Sequence, residues 1–450
     1  MESTICAVST TVGTGAISII RCSGPEAINI VNSVFKGSNL EKVHTHTINY
    51  GHIIDKNEII DEVLVNIMKA PKTFTKEDVV EINAHGGIAT TNKILDLLLT
   101  KGCVLAEPGE FTKRAFLNGR IDLLEAEAVS DLITSETEKA RKLAINQISG
   151  KLSDKIKEIR SLLIAAQANI EVNIDYPEYD DVEVITNEKI KPVLLDIQKE
   201  LNQLLIDSES GKIIKDGIDV AIIGKPNVGK SSILNNLLEE NKAIVTDIPG
   251  TTRDAIEGKI ILSGIMLNMI DTAGIRNTED IVEKIGVEKS LELSKNADLI
   301  IYVLDNSLSN FDDDLKFLEK QKNKKIIVFI NKDDINKEND YKLFEKYNLI
   351  KGNTVNKEGL DSLKNKIIEL FNLEEIETKD YSYLSNARQI SLVRLSLEVI
   401  ENALENLNGI PIDMITVDLK TSYDLLGEII GETYKEDLLD ELFSKFCLGK

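Results

Sequence analysis

The spacing of hydrophobic residues divides this chain into three kinds of sequence. The first kind covers residues 1–118, where short β-rich runs are separated by glycine and proline. These runs include Ala16–Arg21, Val63–Met68 and Asp78–Asn83, and a helix-like segment lies at Thr90–Leu99. The mixture predicts a compact α+β domain.

A helical spacing follows and returns near the end of the chain. Ile121–Val172 has apolar residues at helical intervals, few glycines and no proline, which predicts long amphipathic helices. The acidic stretch Asp175–Glu183 breaks this pattern before a further predicted helix at Glu188–Leu205. We interpret its run Asp175–Asp181 as a solvated linker rather than a metal site. Helical spacing resumes after about Tyr381 and ends in a predicted last helix at Asp437–Phe446.

Residues 217–370 alternate strands and helices. Four short, nearly continuous apolar runs are typical of parallel strands covered on both faces, and these are Asp219–Ile223, Ile265–Ile270, Leu299–Leu304 and Ile326–Ile330. Helices before and after this block indicate either an insertion into one helical domain or three domains in sequence, and the spacing slightly favours the insertion.

The predicted fold class is therefore multi-domain, with α+β, α-helical and α/β parts. With the insertion, the predicted domains are residues 1–118 (α+β), residues 119–212 with 376–450 (α-helical), and residues 213–375 (α/β); without it, the two helical parts are separate.

Composition and charge narrow the class of protein. Of the 450 residues, 42% are hydrophobic and 28% charged, which is typical of a globular protein, and no apolar run is long enough for a bilayer span. The formal net charge of −22 argues against a broad nucleic-acid-binding surface, because lysine and arginine supply most of such affinity. The first residues lack the regions of a signal peptide, and the four cysteines have no metal-ligand spacing. We therefore expect a cytoplasmic protein without a disulfide framework.

A glycine-rich sequence lies between a predicted strand and a predicted helix. Gly224–Ser231 reads GKPNVGKS, the pattern of a phosphate-binding loop whose backbone N–H groups face the phosphates. In such a loop Lys230 reaches the β- and γ-phosphate oxygens, and the Ser231 hydroxyl ligates Mg²⁺. The predicted nucleotide-binding residues here are Asn227, Val228, Gly229, Lys230, Ser231 and Ser232.

Three further motifs follow in the order typical of GTP-binding proteins. Asn331–Asp334 ends a strand, and the Asp334 carboxylate can accept hydrogen bonds from guanine N1–H and N2–H₂. Asp271–Gly274 also ends a strand, and the loop Gly250–Asp254 can bring a threonine to Mg²⁺. Together these motifs predict GTP specificity. They add the predicted GTP-binding residues Thr246, Asp247, Ile248, Pro249, Gly250, Thr251, Thr252, Asp271, Thr272, Ala273, Gly274, Asn331, Lys332 and Asp334.

Two features depart from small signalling GTPases. Their base-contacting Ser-Ala-Lys is replaced by either Asn353-Thr354-Val355 or Thr354-Val355-Asn356. Ile275 stands where those proteins place a water-orienting glutamine, and isoleucine cannot orient water. Charge on the transferred phosphoryl group must then be neutralised from elsewhere. The Asn227 side chain can hold a monovalent cation near the phosphates, with backbone carbonyls from Thr246–Asp254.

These motifs and their flanks closely resemble the MnmE (TrmE) family of tRNA-modification GTPases, nearly from end to end. The resemblance rests on Ile20–Gly24, Glu77–Glu81, His85–Gly87, Pro108–Thr112, Arg114–Arg120, Ala126–Ala128 and Phe446–Lys450. It implies a folate-binding N-terminal domain that dimerises, a helical domain built from both flanks, and a G domain inserted between them. The insertion hypothesis is thereby strengthened.

The resemblance also implies an activity and partners. The family's GTPase is activated by K⁺-dependent pairing of G domains. It forms a complex, a heterotetramer, with the flavoprotein MnmG (GidA). That complex installs a carboxymethylaminomethyl or aminomethyl group at C5 of the wobble uridine, position 34, of certain tRNAs. The implied cofactors are GTP, Mg²⁺, K⁺ and a formyl- or methylene-tetrahydrofolate, with FAD only through MnmG; no membrane is involved.

Residue roles follow from the resemblance position by position. The implied K⁺ ligands are Asn227, Thr246, Ile248 and Thr251, the Mg²⁺ ligands Ser231 and Thr252, and the folate-binding residues Arg21, Glu81, Arg120 and Lys450. Glu283 matches a glutamate that helps to position water, and Cys447 matches a cysteine implicated in the modification. Arg253 is either directed at phosphate or an anchor of its loop, and His85 has a structural or folate-adjacent role. Lys76 departs from the family, which usually has glycine there.

Two other classes compete with this hypothesis. A ribosome-assembly or RNA-chaperone GTPase has the same G-domain motifs but usually a basic RNA-binding appendage, and this acidic sequence shows none. A signalling switch is disfavoured by Ile275 and by the extensive flanking domains.

Overall fold

The computed structural model describes residues 3–175, 187–240, 258–270, 292–321, 324–335, 339–374, 376, 383–407, 409, 411–434, 436–446 and 449. The chain folds into two compact units. The first unit comprises Met1–Ile133, Gln147–Leu201 and Ser391–Lys450, and the second comprises Thr134–Asn146 and Asn202–Ile390.

The first unit contains a seven-stranded sheet in the order β3-β4-β5-β6-β2-β1-β7. Its strands are β1 (Ile5–Val8), β2 (Ile17–Ser23), β3 (Phe35–Lys36), β4 (Thr47–Asp55), β5 (Glu58–Met68), β6 (Val79–His85) and β7 (Val104–Leu105). Neighbouring strands pair antiparallel, except for the parallel pair β1–β7. Buried positions alternate along the strands, as in Val63, Val65 and Ile67 of β5, so that one face of the sheet supplies a core. The α+β prediction for this part is confirmed.

Helices make up most of the remaining described chain. In chain order they are α1 (Ala27–Val34), α2 (Ile88–Thr100), α3 (Glu110–Leu117), α4 (Leu123–Thr134), α5 (Glu138–Ile148), α6 (Lys151–Asp175), α7 (Asn187–Asp216), α8 (Lys230–Glu240), α9 (Asp312–Glu319), α10 (Leu360–Leu370), α11 (Ala387–Asn406), α12 (Ile412–Ile430) and α13 (Glu436–Ser444). Helices α6 and α12 pack along each other in the first unit. No helix within the described ranges is both long and apolar enough to cross a membrane.

The predicted helix at Glu188–Leu205 is longer in the structure, where α7 continues to Asp216. Its added part contains Gly211, a residue of low helix propensity. A side chain at Gly211 would meet the Leu384 carbonyl oxygen at 2.2 Å, so close packing requires glycine there. Tertiary contacts therefore extend this helix against local preference.

The second unit contains a six-stranded sheet in the order β13-β12-β11-β8-β10-β9. Its strands are β8 (Ile218–Ile223), β9 (Gly258–Leu262), β10 (Ile265–Met269), β11 (Leu299–Asp305), β12 (Lys325–Asn331) and β13 (Leu349–Lys351). All neighbours are parallel except β9 and β10. Alternate residues of β11 belong to two separate buried clusters, one on each face, which is why its sequence is continuously apolar. The predicted α/β fold is confirmed.

Three of the cysteines lie in the core of the first unit. Cys6, Cys22 and Cys103 are buried and form no disulfide, and Cys6 lies directly opposite Cys22 in the β1–β2 register. Hydrogen bonding to Cys103 and burial raise the pKa of the Cys22 thiol. The buried, protonated Cys22 thiol is therefore a poor nucleophile.

Candidate nucleotide-binding site and N-terminal polar cluster

The loop after β8 has a backbone that only a few residue types can adopt. Gly224 has φ +157°, Asn227 +60° and Gly229 +105°. A Cβ at Gly224 would lie 2.5 Å from the Val303 carbonyl oxygen, and one at Gly229 would lie 2.1 Å from Asn331 Nδ2. Both glycines are therefore required by close approach as well as by φ, and asparagine is a residue that tolerates the left-handed region at 227. The glycine-rich turn is a built phosphate loop.

Lys230 begins α8 immediately after this loop. Its Nζ donates to the carbonyl oxygens of Gly224 at 2.9 Å and Lys225 at 2.7 Å. Burial lowers the pKa of Lys230 below its ordinary value. The ammonium group is thus held over the loop at the start of the helix, where backbone N–H groups and the helix dipole favour an anion.

Asn331 ties the phosphate loop to the end of the sheet. Its Nδ2 donates to the Val228 carbonyl at 2.8 Å, and its Oδ1 accepts the Thr354 backbone N–H at 3.0 Å. The residue is 2% exposed, so both amide atoms work as structural links between three segments. The last residue of the predicted motif, Asp334, lies beyond β12 and is exposed.

Lys332 is anchored from the neighbouring strand. It has φ +62°, and its Nζ lies 2.6 Å from Asp305 Oδ2 at the end of β11. Burial opposes ionisation of Asp305, but hydrogen bonds from Lys332 and Ser307 outweigh it and lower the pKa of this carboxyl. The Lys332 side chain is therefore aligned by a charge-assisted contact.

The structure places Thr354, and not Asn356, beside Asn331. Asn353 and Thr354 are buried, whereas Val355 is 87% exposed and Asn356 is exposed. Asn236 of α8 donates to the Thr354 carbonyl at 2.7 Å. Thr354, which both candidate segments contain, is thus linked to Asn331 and to α8.

Many predicted residues lie outside the described ranges. They are Thr246, Asp247, Ile248, Pro249, Gly250, Thr251, Thr252, Arg253, Asp271, Thr272, Ala273, Gly274, Glu283, Cys447 and Lys450. Of the described nucleotide set, Asn331 is joined by a hydrogen bond to the loop between β8 and α8, and Lys332 is paired with Asp305 of β11.

A polar cluster in the first unit contains two of the predicted folate residues. Arg21 on β2 and Glu81 on β6 are direct cross-strand neighbours. Arg21 Nε and Nη2 lie 2.9 and 2.8 Å from Glu81 Oε1, and Nη1 donates to the Gly449 carbonyl at 3.3 Å. Ser9 Oγ donates to the same carbonyl at 3.1 Å, so the end of the chain meets this pair.

Arg120 is held by a different segment. Its Nη1 donates to the Thr73 carbonyl at 2.7 Å, and its guanidinium lies 5.6 Å from the centroid of the Phe74 ring. Lys76 follows in the same loop with φ +58°. That left-handed backbone explains why glycine suits this position, and the Lys76 ammonium donates to the Gly119 carbonyl at 2.8 Å.

Sequence reasoning missed the buried charge beside this cluster. Arg114 is 1% exposed, and its guanidinium pairs with Glu77 at 3.2 Å and Glu110 at 2.8 Å and donates to the Ser3 carbonyl at 2.8 Å. The motif that contains Arg114 was visible in the sequence, but the burial of Arg114 was not.

His85 also has a charged partner, because its Nδ1 lies 2.7 Å from Asp61 Oδ1. Hydrogen bonding to Asp61 and its charge raise the pKa of His85.

The mostly parallel sheet, the strand–loop–helix with Lys230, and the Asn331 motif at the end of β12 define a P-loop nucleotide-binding protein of the GTPase class. Comparison with known proteins makes this more specific. The family described as MnmE helical domain matches residues 123–447, and the family described as GTP-binding protein TrmE N-terminus matches residues 4–120.

Full-length relatives give the same result. The tRNA modification GTPase MnmE of Bacillus licheniformis is 51% identical over 99% of this chain and 100% of its own length, and that of Staphylococcus aureus (strain Newman) is 50% identical over 99% of both. Among solved structures, the G domain of the T. maritima FeoB iron transporter is 31% identical over 34% of this chain and 97% of that chain, with a TM-score of 0.26. The chain belongs to the tRNA modification GTPase MnmE family, and it is a GTP hydrolase.

Proposed function

We propose that this GTP hydrolase is K⁺-activated and acts, with the flavoprotein MnmG, in tRNA modification. The product is a carboxymethylaminomethyl or aminomethyl group at C5 of the wobble uridine, position 34, of certain tRNAs. The observation that carries the proposal is 51% identity over 99% of the chain to a tRNA modification GTPase, together with the built phosphate loop. The homodimer, the MnmG heterotetramer and the cytoplasmic location belong to the same proposal, as do the domain limits near residues 118, 212 and 375.

The described residues support specific roles in GTP binding. The N–H groups of the loop and the Lys230 ammonium bind the phosphates, and the Ser231 hydroxyl ligates Mg²⁺ together with Thr252. The Asp334 carboxylate accepts from guanine N1–H and N2–H₂. Since Thr354 lies beside Asn331 and both candidate segments contain it, Thr354 borders the base.

The K⁺ site is proposed around Asn227. Its left-handed φ of +60° places an amide side chain within the phosphate loop itself, where a hard oxygen donor suits a monovalent cation. The remaining proposed ligands are Thr246, Ile248 and Thr251. A bound cation supplies positive charge near the transferred phosphoryl group, which Ile275 cannot do, and Glu283 positions the attacking water. Arg253 is proposed as a phosphate-directed or loop-anchoring residue.

The folate site is proposed at the Arg21–Glu81 pair with Arg120 and Lys450. The chemistry of the donor set fits a reduced folate, because a carboxylate matches its amino-pyrimidine edge and arginine or lysine matches its glutamate carboxylates. The side chains of Arg21 and Glu81 are 26% and 18% exposed, so both reach the surface of the sheet. The ion pair adds a positioning role for Arg21, which orients Glu81. A bound formyl- or methylene-tetrahydrofolate supplies the one-carbon unit.

One variant tests the proposal. In Cys447→Ser, we expect GTP hydrolysis to match the wild-type rate, to be about tenfold or more faster in KCl than in NaCl, and wobble uridines to lack the modification. Hydrolysis is measured on the purified protein in the two salts, and tRNA from a strain carrying the variant is analysed by mass spectrometry. A strain with the wild-type gene is the control.

Each part of the proposal has its own contradicting result. Equal rates in KCl and NaCl refute K⁺ activation. Wobble uridines that are modified as in wild type in a strain lacking the gene refute the tRNA role and favour another class of GTPase. Full modification of the wobble uridines in the Cys447→Ser strain shows that Cys447 is not needed for the modification. It leaves K⁺ activation and the tRNA role unaffected.

A further inference from the structure

The side chain of Lys225, the second residue of the phosphate loop, pairs with a buried acid. Lys225 Nζ lies 2.8 Å from Asp314 Oδ2, and the Asp314 side chain is only 2% exposed. Asp314 lies in the first turn of α9, an element outside the sequence motifs for GTP. Because a buried carboxylate is costly unless it is paired, this contact fixes the loop to α9.

The second oxygen of Asp314 is held by the central sheet. Tyr302 Oη of β11 donates to Asp314 Oδ1 at 2.9 Å, and this pair is buried. The Tyr302 ring stacks on Phe317 of α9, with ring centroids 5.4 Å apart. Burial and the Asp314 charge raise the pKa of the Tyr302 hydroxyl, so it remains a donor. The carboxylate is therefore held at both oxygens and cannot turn away from Lys225.

The backbone of Lys225 continues this chain of contacts to the phosphate-binding lysine. The Lys225 carbonyl accepts a hydrogen bond from Lys230 Nζ at 2.7 Å, next to the 2.9 Å bond to Gly224. The position of the Lys225 backbone thus sets where the ammonium group of Lys230 is held. Its side-chain anchor to Asp314 restrains that position from the other end of the residue.

We propose that Asp314 and Tyr302 are positioning residues for GTP binding, which act through Lys225 to hold the phosphate loop in the conformation that presents Lys230. Neither residue needs to touch the nucleotide. The proposal requires only that the chain binds GTP, and it is independent of K⁺, folate and MnmG.

The test measures release of a fluorescent GDP analogue and the thermal unfolding of the full chain. In Lys225→Met and in Asp314→Asn, the analogue is expected to dissociate about five- to tenfold faster than from the wild-type chain. The effect is smaller than for a fully buried ion pair, because the Lys225 side chain is half-exposed and its charge is partly screened by water. Tyr302→Phe gives a smaller increase, and Lys225→Arg keeps the cation and restores slow release. The double variant Lys225→Met/Asp314→Asn releases the analogue no faster than the faster single variant, because both changes break one contact.

The matched control is Lys316→Met, which removes an ion pair with Asp313 on the same helix, where both side chains are more than 70% exposed. It should leave release unchanged. The proposal is overturned if the release rates of Lys225→Met and Asp314→Asn lie within about twofold of the wild-type rate. If the unfolding temperature falls at the same time, the Lys225–Asp314 pair stabilises the fold and does not position the loop. Additive effects in the double variant overturn the proposal too. If Asp314→Asn does not fold, the release rates of Lys225→Met and Tyr302→Phe test the proposal. Failure of the wild-type chain to bind the analogue contradicts the GTP site and not this anchor.

Discussion

At the scale of single residues, the proposed recognition of guanine by Asp334 requires the charge of its carboxylate. An asparagine there keeps the shape but replaces one acceptor oxygen by an NH₂ donor, which opposes guanine N1–H and N2–H₂ and matches the 2-oxo group of xanthine. For Asp334→Asn we expect GTP affinity to fall about 10- to 100-fold, and xanthosine triphosphate affinity to rise, because a charged hydrogen bond is lost and a donor is left facing a donor. Competition binding with both nucleotides measures this.

The neighbouring Asp333→Asn is the control for that change, since its backbone N–H already bonds the Gly352 carbonyl at 3.2 Å and its side chain lies outside the predicted set. Equal loss of GTP affinity in both variants would contradict base recognition by Asp334.

The residues of this site differ in how far the sequence predicts them. Asn331 and Lys230 were predicted because their spacing from glycines and strand ends is a pattern. Asp314 and Arg114 were not, because they look like ordinary charged residues until the fold buries them to 2% and 1% exposure. Both alternative base-contacting segments contain Thr354, and its hydrogen bond to Asn331 became visible only in the structure.

At the scale of elements, the pair of helices α6 and α12 carries a buried cation between them. Arg160 of α6 donates from Nε to the Tyr423 carbonyl at 3.2 Å, lies 4.0 Å from the Tyr423 ring centroid and pairs with Glu432. Gly427 of α12 leaves room for it, since an added Cβ would lie 2.8 Å from Thr433 Oγ1 and 3.0 Å from Arg160 Nη2.

Gly427→Ala is therefore expected to lower the free energy of unfolding by about 1–3 kcal/mol, although alanine favours a helix, because Thr433 and Arg160 must move. Urea unfolding followed by circular dichroism measures it. The exposed Lys420→Ala on the same helix is the control and should change stability by less than about 0.5 kcal/mol. Stabilisation by Gly427→Ala would show that the interface adjusts freely.

Elements with a clear apolar pattern could be predicted from the sequence, and elements without one could not. The four apolar runs became β8, β10, β11 and β12. Residues of β8, β11 and β12 belong to the buried clusters on both faces of the sheet, which is why their sequences are nearly continuously apolar. The edge strand β9 was missed because it lacks that signal. The last helix, predicted at Asp437–Phe446, is Glu436–Ser444 in the structure, a difference at the ends where spacing says least.

At the scale of the whole molecule, the two units are each assembled from separate stretches of chain and each has its own core. Local pattern could indicate an insertion but could not show that Thr134–Asn146 joins the second unit, because that depends on contacts distant in sequence. The predicted limits of three domains remain a prediction.

This division leads to a thermodynamic expectation. With GDP bound at the proposed phosphate loop of the second unit, we expect that unit to be stabilised by about 2.7 kcal/mol at a ligand concentration of 100 Kd and the first unit to be unaffected. Calorimetry of the full chain should then show two transitions, of which GDP raises only one. Lys230→Ala should abolish the rise in the unfolding temperature, because GDP then no longer binds the folded second unit more tightly than the unfolded one. If GDP raises both transitions together, the two cores unfold as one cooperative system, and nucleotide binding is then coupled in free energy to the polar cluster at Arg21 and Glu81.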